Sequence, residues 1–322
     1  MSDQPKKVFI TGISGFAGSH LADLCLAKGY EVFGSVRLRD DVSNIEHIKD
    51  KIQIEYLDIL DSKNCDEVMK RVMPDIVFHL AAQSFVGKSW EAPDLTLSTN
   101  ILGTLNVLES VRKYRPDAIF HVASSSQVYG KVEKFPMTVD TPFNPMSPYD
   151  VSKLSQEMLV RQYHNSYGMD VRITRAFNIT GPRRADMFAE TTFTKQIVEI
   201  EKGLKEPVIK VGNLDSARDY IDVRDAVRGY LMAVENGKSG EVYLLCSGIP
   251  RKISLILDQL LKLSPKGLSI RIEQDSERMR PSDTSFMQGD YSSAKEGLGW
   301  KPVIPMVRTL YDLLEYYRGI IK

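Results

Sequence analysis

Residues 7–29 read KVFITGISGFAGSHLADLCLAKG. Lys7 to Thr11 is short and apolar, as a buried strand should be. Glycines follow at 12, 15 and 18. A helix then fits Ser19 to Lys28, with Leu21, Leu24 and Cys25 on one face and Gly29 as its stop. A glycine-rich turn between a strand and a helix is the setting a dinucleotide phosphate needs. Gly12 allows a tight turn. Gly15 lets the backbone approach a pyrophosphate at the helix N-terminus, and Gly18 lets helix and strand pack closely. The spacing departs from the usual G-x-G-x-x-G, and the bland alternative is a purely structural turn.

The same alternation continues downstream. Glu31 to Val36, Ile52 to Tyr56, Asp75 to Leu80, Ile119 to Ala123 and Val171 to Arg175 read as strands. Asn64 to Val72, Leu97 to Arg112 and Tyr149 to Tyr167 read as helices between them. Short apolar strands alternating with helices imply a parallel sheet covered on both faces, an α/β Rossmann-like unit. After Gly181 the pattern changes. Helices fit Thr192 to Lys202, Ser254 to Leu263 and Val303 to Tyr317, with short extended pieces at Val208 to Val211, Glu241 to Cys246 and Ile270 to Glu273. The expectation is a cofactor-binding unit over residues 1–178 and a smaller mixed α/β lobe over 179–322. A segment near 215–240 should return to the larger unit.

Composition narrows the function classes. The formal net charge is zero and the Lys and Arg residues are dispersed, so no basic stripe points to nucleic acid. Cys25, Cys65 and Cys246 have no metal-ligand spacing, which argues against a zinc or iron–sulfur site and favours a reducing compartment. The five histidines share no ligand spacing either, so no metal is expected. There is no signal-like N-terminal segment and no apolar run long enough to span a membrane. A cytoplasmic enzyme is the expectation.

Chemistry enters at Tyr149-x-x-x-Lys153, where spacing i, i+4 puts both side chains on one helix face. An ammonium beside a phenol should lower the phenol pKa and let Tyr149 exchange a proton with an alcohol or carbonyl oxygen. Lys153 can also hold the nicotinamide ribose. Alone, the pair is as readily two surface residues. It gains weight from Ser124-Ser125-Ser126 at the end of the fifth strand, the ligand edge of such a sheet. Ser125 is placed to hydrogen-bond the reacting oxygen. At the end of the second strand stands Arg37 rather than an acid, which favours NADP(H), with NAD(H) the alternative. Asp58 and Ile59 follow the third strand and could hold the adenine, or Asp58 could simply cap a turn.

These residues resemble the extended short-chain dehydrogenase/reductase family, whose members modify nucleotide-activated sugars. The resemblance covers essentially the whole chain. It rests on Thr11-Gly12-x-x-Gly15-Phe16-x-Gly18, His79-Leu80-Ala81-Ala82-Gln83-Ser84, Ser124 to Gly130 and Ser147-Pro148-Tyr149-x-x-Ser152-Lys153. It implies that Phe16, Leu80, Ala81 and Ala82 line the cofactor and that Ser84 faces the substrate. Asn178 to Arg184, Val211 to Leu214, Arg218-Asp219 and Arg280 to Asp283 are similar to the sugar-nucleotide contacts of two GDP-hexose subgroups, the GDP-mannose 4,6-dehydratases and the GDP-4-keto-6-deoxy-D-mannose reductases. The resemblance implies that Asn178, Val211, Asn213, Arg218 and Arg280 bind the GDP-linked sugar. It also implies a homodimer through the helices 97–112 and 149–167, with a tetramer as a further option.

Gln127 separates the candidate reactions. The resemblance places a Glu there in dehydratases, as the base that removes the C5 proton. An amide cannot do this. Reduction at C4 needs no such base, with Tyr149 as proton donor and Ser125 and Lys153 orienting the carbonyl. The expected activity is therefore NADP(H)-dependent reduction of a GDP-4-keto-6-deoxyhexose, with Gln127 a substrate contact. A C4 epimerase or dehydrogenase, the dehydratase itself, and a cofactor-binding protein without activity are the alternatives.

Overall fold

Seven parallel strands carry the site: β1 (Lys7–Thr11), β2 (Glu31–Val36), β3 (Gln53–Tyr56), β4 (Ile76–His79), β5 (Ile119–Ser125), β6 (Val171–Ala176) and β10 (Val242–Leu245). Their order in the sheet is β10-β6-β5-β4-β1-β2-β3. In this computed structural model, residues 5–275 and 285–322 are described. Arg280 and its neighbours from Glu277 to Asp283 lie outside the described residues. The chain runs outward from β1 through β2 and β3, then crosses back to β4 on the other side of β1. That reversal opens a crevice at the C-terminal ends of β1 and β4, where ligands bind in open parallel sheets. The register brings Thr11 opposite Ser35 on one side and His79 on the other.

Each sheet face is sealed by a separate apolar cluster. One contains α2 (Ser62–Val72), α5 (Gly103–Tyr114) and α6 (Pro148–Tyr167), represented by Val68, Val107 and Val160. The other contains α1 (Phe16–Ala27), α8 (Val223–Asn236) and α10 (Ser292–Leu298), represented by Leu21, Val227 and Leu298. The sequence pattern missed α8 as a helix because Gly229 lies in its middle. A Cβ there would sit 2.7 Å from the Leu245 side chain, so the glycine permits a close helix–sheet approach.

The helix expected over 97–112 is longer and interrupted. After α3 (Val86–Glu91), α4 (Pro93–Leu97) passes through a π-helical turn at Ser98–Leu102 into α5. Such bulges gather at functional sites, and this one projects Asn100 inward.

A third cluster builds the smaller lobe from α7 (Ala189–Glu201), α9 (Ile253–Leu263) and α11 (Met306–Ile320). Strands β7 (Asn178–Thr180), β9 (Ala217–Asp222) and β11 (Pro250–Lys252) form a three-stranded sheet in the order β11-β9-β7. Strands β8 (Val208–Val211) and β12 (Arg271–Gln274) pair in parallel. The return to the large sheet extends beyond 215–240, because β10 pairs with β6 and α10 packs beside α8. No helix among the described residues is long and apolar enough to cross a membrane.

Candidate active site

The glycine turn is shaped by contacts that side chains would destroy. Gly12 has φ +70°, a left-handed conformation, and a Cβ on it would meet the Ala81 backbone at 3.1 Å. A Cβ on Gly18 would lie 2.3 Å from the Gly12 carbonyl oxygen. Gly15 is exposed and caps α1 with no side-chain hydrogen bond, so the first amides of the helix have no side-chain cap. This bare turn fits a dinucleotide phosphate. Phe16 and Leu80, Ala81 and Ala82 are partly buried around it.

Thr11 fixes the opposite wall. Its hydroxyl accepts the amides of Leu80 and Ala81, each at 3.0 Å, and so must donate to His79 Nδ1 at 3.0 Å. The other ring nitrogen, Nε2, then carries the hydrogen and donates to Thr104 Oγ at 2.9 Å. Burial pushes His79 down to about 3, so the ring stays neutral. Thr104 passes its own proton to the Asn100 carbonyl at 2.6 Å and accepts from Gln156 on α6 at the same distance. Asn100 closes the chain: its Nδ2 donates to Ser152 Oγ at 2.8 Å and to the Gln83 carbonyl at 3.0 Å, while its Oδ1 accepts the Gln83 amide. The pattern reading overlooked Asn100. Its signal was a polar residue on the inward side of an amphipathic helix.

Local sequence places Tyr149 and Lys153. Ser147 caps α6 by accepting the Asp150 amide at 3.1 Å, Pro148 opens the first turn, and Gly168 ends the helix in a left-handed conformation. Tyr149 and Lys153 therefore occupy the first two turns, both buried. Lys153 Nζ donates to the Ala123 carbonyl of β5 at 3.0 Å and lies 6.0 Å from the Tyr149 ring centroid. Burial pushes Lys153 down to about 8. Burial also pushes Tyr149 up to about 12, opposed by its hydrogen bond to Ser125. The phenol thus lies above its ordinary value rather than below it, because desolvation of the ring dominates.

Ser125 ends β5 and accepts the Gln127 amide at 3.2 Å. The Gln127 side chain is partly buried, and its Nε2 lies 3.8 Å from the Met287 sulfur. Behind it, Glu157 and Arg175 form a fully buried ion pair at 2.6 Å. Glu157 also accepts from Ser124 at 2.9 Å, and Arg175 donates to the Tyr129 hydroxyl at 2.5 Å. This pair fixes both ends of the segment that carries Ser125 and Gln127.

The remaining expected residues spread over the cleft. Arg37 is exposed at the end of β2, its guanidinium bonded to Asp40 at 2.8 Å. Asp58 is exposed and caps a turn at the Leu60 amide, while Ile59 is buried against Gly103. Ser84 is exposed. Asn178 opens β7, and its side-chain oxygen is buried with no partner among the described residues. Val211 lies in the core of the lobe. Asn213 is folded onto its own turn through Ser216 and Asp215. Arg218 is buried in β9 and donates to the Ala217 carbonyl. Arg184 comes closer to the pair than the motif suggested. Its guanidinium stacks 3.7 Å from the Phe188 ring centroid and 5.6 Å from that of Phe16, and its charge is felt at Tyr149.

Comparison with known proteins agrees with this geometry. The family model described as GDP-mannose 4,6 dehydratase matches residues 9–312. The chain belongs to this family. It therefore has the extended short-chain dehydrogenase/reductase fold and is an NAD(P)-dependent oxidoreductase of the nucleotide-sugar type. It is 30% identical to the GDP-6-deoxy-D-mannose reductase of Pseudomonas aeruginosa, covering 98% of this chain and 99% of that one. It is 32% identical to a GDP-mannose 4,6-dehydratase of Vibrio cholerae, covering 93% and 90%. Among solved structures, RMD from Pseudomonas aeruginosa complexed with NADPH superposes with a TM-score of 0.84 at 30% identity, over 98% of this chain and all of that one. A Thermotoga maritima UDP-glucose 4-epimerase with UDP-glucose gives 0.88 at 29% identity, over 97% and 99%. Family membership thus leaves reduction, dehydration and epimerisation side by side, and the site residues must choose among them.

Proposed function

We propose that this family member reduces the C4 keto group of a GDP-linked 4-keto-6-deoxyhexose. The observation that carries the reading is Gln127, two residues after Ser125, which puts an amide side chain where the family resemblance places the dehydratase's general base. Around the pair, Glu157 is bound to Arg175 and Glu190 lies 3.1 Å from Arg184, while Asp150 accepts the Met146 amide through Oδ2 and keeps Oδ1 without a partner among the described residues. GDP is favoured because both named relatives act on GDP sugars.

A nicotinamide bound at this site would supply the hydride for the C4 carbon. The chain supplies the rest. Tyr149, held protonated at neutral pH by its burial, donates its proton to the C4 oxygen. Ser125 hydrogen-bonds the same oxygen and keeps it beside the phenol. Lys153 would hold the nicotinamide ribose, and its charge would favour the phenolate left behind. The turn at Gly12, Gly15 and Gly18 would hold the pyrophosphate, with Phe16 and Leu80 to Ala82 beside it, Asp58 and Ile59 near the adenine, and Arg184 covering the turn from the lobe. Arg37 favours NADPH. Ser84, Gln127, Asn178, Val211, Asn213 and Arg218 belong to the sugar-nucleotide side, with residues 1–178 serving mainly the cofactor but contributing Ser84, Gln127 and Asn178 to the substrate, and 179–322 serving mainly the substrate. Leu95, Leu102, Val151 and Met158 are exposed on α4 to α6, which supports a homodimer through these helices.

The test is incubation with GDP-4-keto-6-deoxymannose or GDP-mannose, each with NADPH. Stoichiometric NADPH consumption with the keto sugar alone is expected. Conversion of GDP-mannose to a keto sugar without net cofactor use would restore the dehydratase, and interconversion of C4 epimers would identify an epimerase.

A further inference from the structure

The chain leaving β7 turns sharply at 181–184 and lies across the first two turns of α1. His20 Nε2 donates to the Pro182 carbonyl at 3.0 Å, with burial pushing the ring down to about 4 and keeping it neutral. Arg183 Nη1 donates to Asp23 Oδ2 at 2.7 Å. The other oxygen of Asp23 takes His47 Nε2, also at 2.7 Å. Arg183 itself adopts φ +70°, a conformation that residues with a Cβ rarely hold unless their surroundings impose it. That backbone sends consecutive arginine side chains in different directions. Arg183 goes outward to α1, and Arg184 goes into the cleft, between Phe188 and Phe16 and 3.1 Å from Glu190. The Tyr317 hydroxyl fixes the Arg184 carbonyl at 3.2 Å.

We propose that Arg183 and Asp23 form a clasp that positions Arg184 against the glycine turn, so that cofactor affinity depends on an ion pair outside the cleft. Arg183 touches neither cofactor nor substrate and is a positioning residue. The clasp also ties the first strand of the sugar side to the cofactor helix. The proposal rests on the reading that the glycine turn holds a nicotinamide dinucleotide. A purely structural pair would behave differently: its loss would lower the melting temperature and weaken both ligands together.

The experiment uses the full chain with Asp23→Ala, Arg183→Gly and the exchanged pair Asp23→Arg with Arg183→Asp. Arg183→Gly relaxes the backbone while removing the ion pair, so it keeps the question open to test if Asp23→Ala folds poorly. NADPH binding is read by fluorescence titration, GDP binding by calorimetry and stability by thermal melting. Both single variants should weaken NADPH by about three- to tenfold, the range a partly exposed ion pair can transmit. GDP affinity should stay near that of the unaltered chain, and the exchanged pair should recover part of the NADPH affinity. Unchanged NADPH affinity in both single variants, or parallel loss of both ligands with melting temperature, would overturn the clasp. Arg184→Met separates the two levels of the argument. If it loses NADPH while Asp23→Ala and Arg183→Gly do not, the cofactor site stands and the clasp fails. If the unaltered chain binds neither NADPH nor NADH, the cofactor reading fails and the clasp with it.

Discussion

The two walls of the cleft differ in how their polar side chains are held. On the sheet wall, Thr11, His79, Thr104, Asn100, Gln156 and Ser152 bond to one another in a buried chain that runs from the glycine turn to the catalytic helix. On the lobe wall, the Asn178 oxygen is buried without a partner among the described residues, and Asn213 is folded onto its own turn. Each wall keeps one such oxygen, Gln156 Oε1 on the sheet side and Asn178 Oδ1 on the lobe side. The difference is that the sheet-wall side chains bond to one another across several elements, whereas Asn213 bonds only within its own turn. Catalytic geometry should therefore tolerate changes on the lobe side better than on the sheet side, whereas sugar-nucleotide affinity should show the reverse.

The strongest test of that contrast is Tyr149→Phe. Turnover should fall about 10²- to 10⁴-fold, the scale of a lost proton donor, while NADPH affinity and melting temperature stay close to those of the unaltered chain. Near-normal steady-state turnover would remove Tyr149 from the reaction. Next in size is His79→Phe, which strips a hydrogen bond from both Thr11 and Thr104 within a dry interior. Urea denaturation should show a loss of about 2–4 kcal/mol. An Asn178→Ala change should cost little stability by the same measurement, and a comparable loss there would erase the distinction between the walls.

The buried histidines make the protein acid-sensitive. His20, His79 and His121 are pushed by burial to about 4, 3 and 3 from an ordinary 6.5. Their folded values are depressed, so the unfolded chain binds more protons between those values and 6.5. Stability should then fall as the pH drops below 6.5. Urea midpoints at neutral and mildly acidic pH would show it, with a shallower loss in His79→Phe.

Two smaller effects follow. Gln127→Ala should reduce keto-sugar turnover by no more than about tenfold, since an amide offers a hydrogen bond and not a base. A collapse as deep as that of Tyr149→Phe would contradict the reading. Asp40→Ala should shift preference toward NADPH over NADH by about two- to fivefold, because the carboxylate that now holds Arg37 competes with a phosphate. Comparison of the two Michaelis constants measures this.

The sheet wall was also the more legible one. Residues 7–29, the strand alternation and the Tyr149–Lys153 spacing are local patterns, each set by periodicity or by a turn that only glycine permits. Six of the seven strands of the large sheet follow from them, whereas the place of β10 beside β6 does not. Asn100 carried only the weak signal of a polar residue on the inward side of a helix, and the π-helical turn that holds it is not written in the pattern. Helix α8 was hidden by a glycine that packs rather than breaks. The direction of the Tyr149 shift was misjudged because burial is a property of the assembled chain and not of a five-residue spacing. Arg184 was visible as part of a motif, yet its approach to Phe16 and Tyr149 depends on the left-handed Arg183, which no pattern signals. On the lobe wall, Val211, Asn213 and Arg218 come from separate short strands and turns, and the resemblance to the family carried what their spacing could not.

The central claim is that Tyr149, Ser125 and Lys153 perform C4 redox chemistry and that Gln127 withholds dehydration. The most direct measurement follows deuterium from NADPH labelled at the nicotinamide C4 position into product formed from GDP-4-keto-6-deoxymannose in ordinary water, read by NMR. One deuterium at sugar C4, with none at C5 or C6, is the predicted result. An unreduced keto sugar, together with dehydration of GDP-mannose by the same preparation, would contradict it.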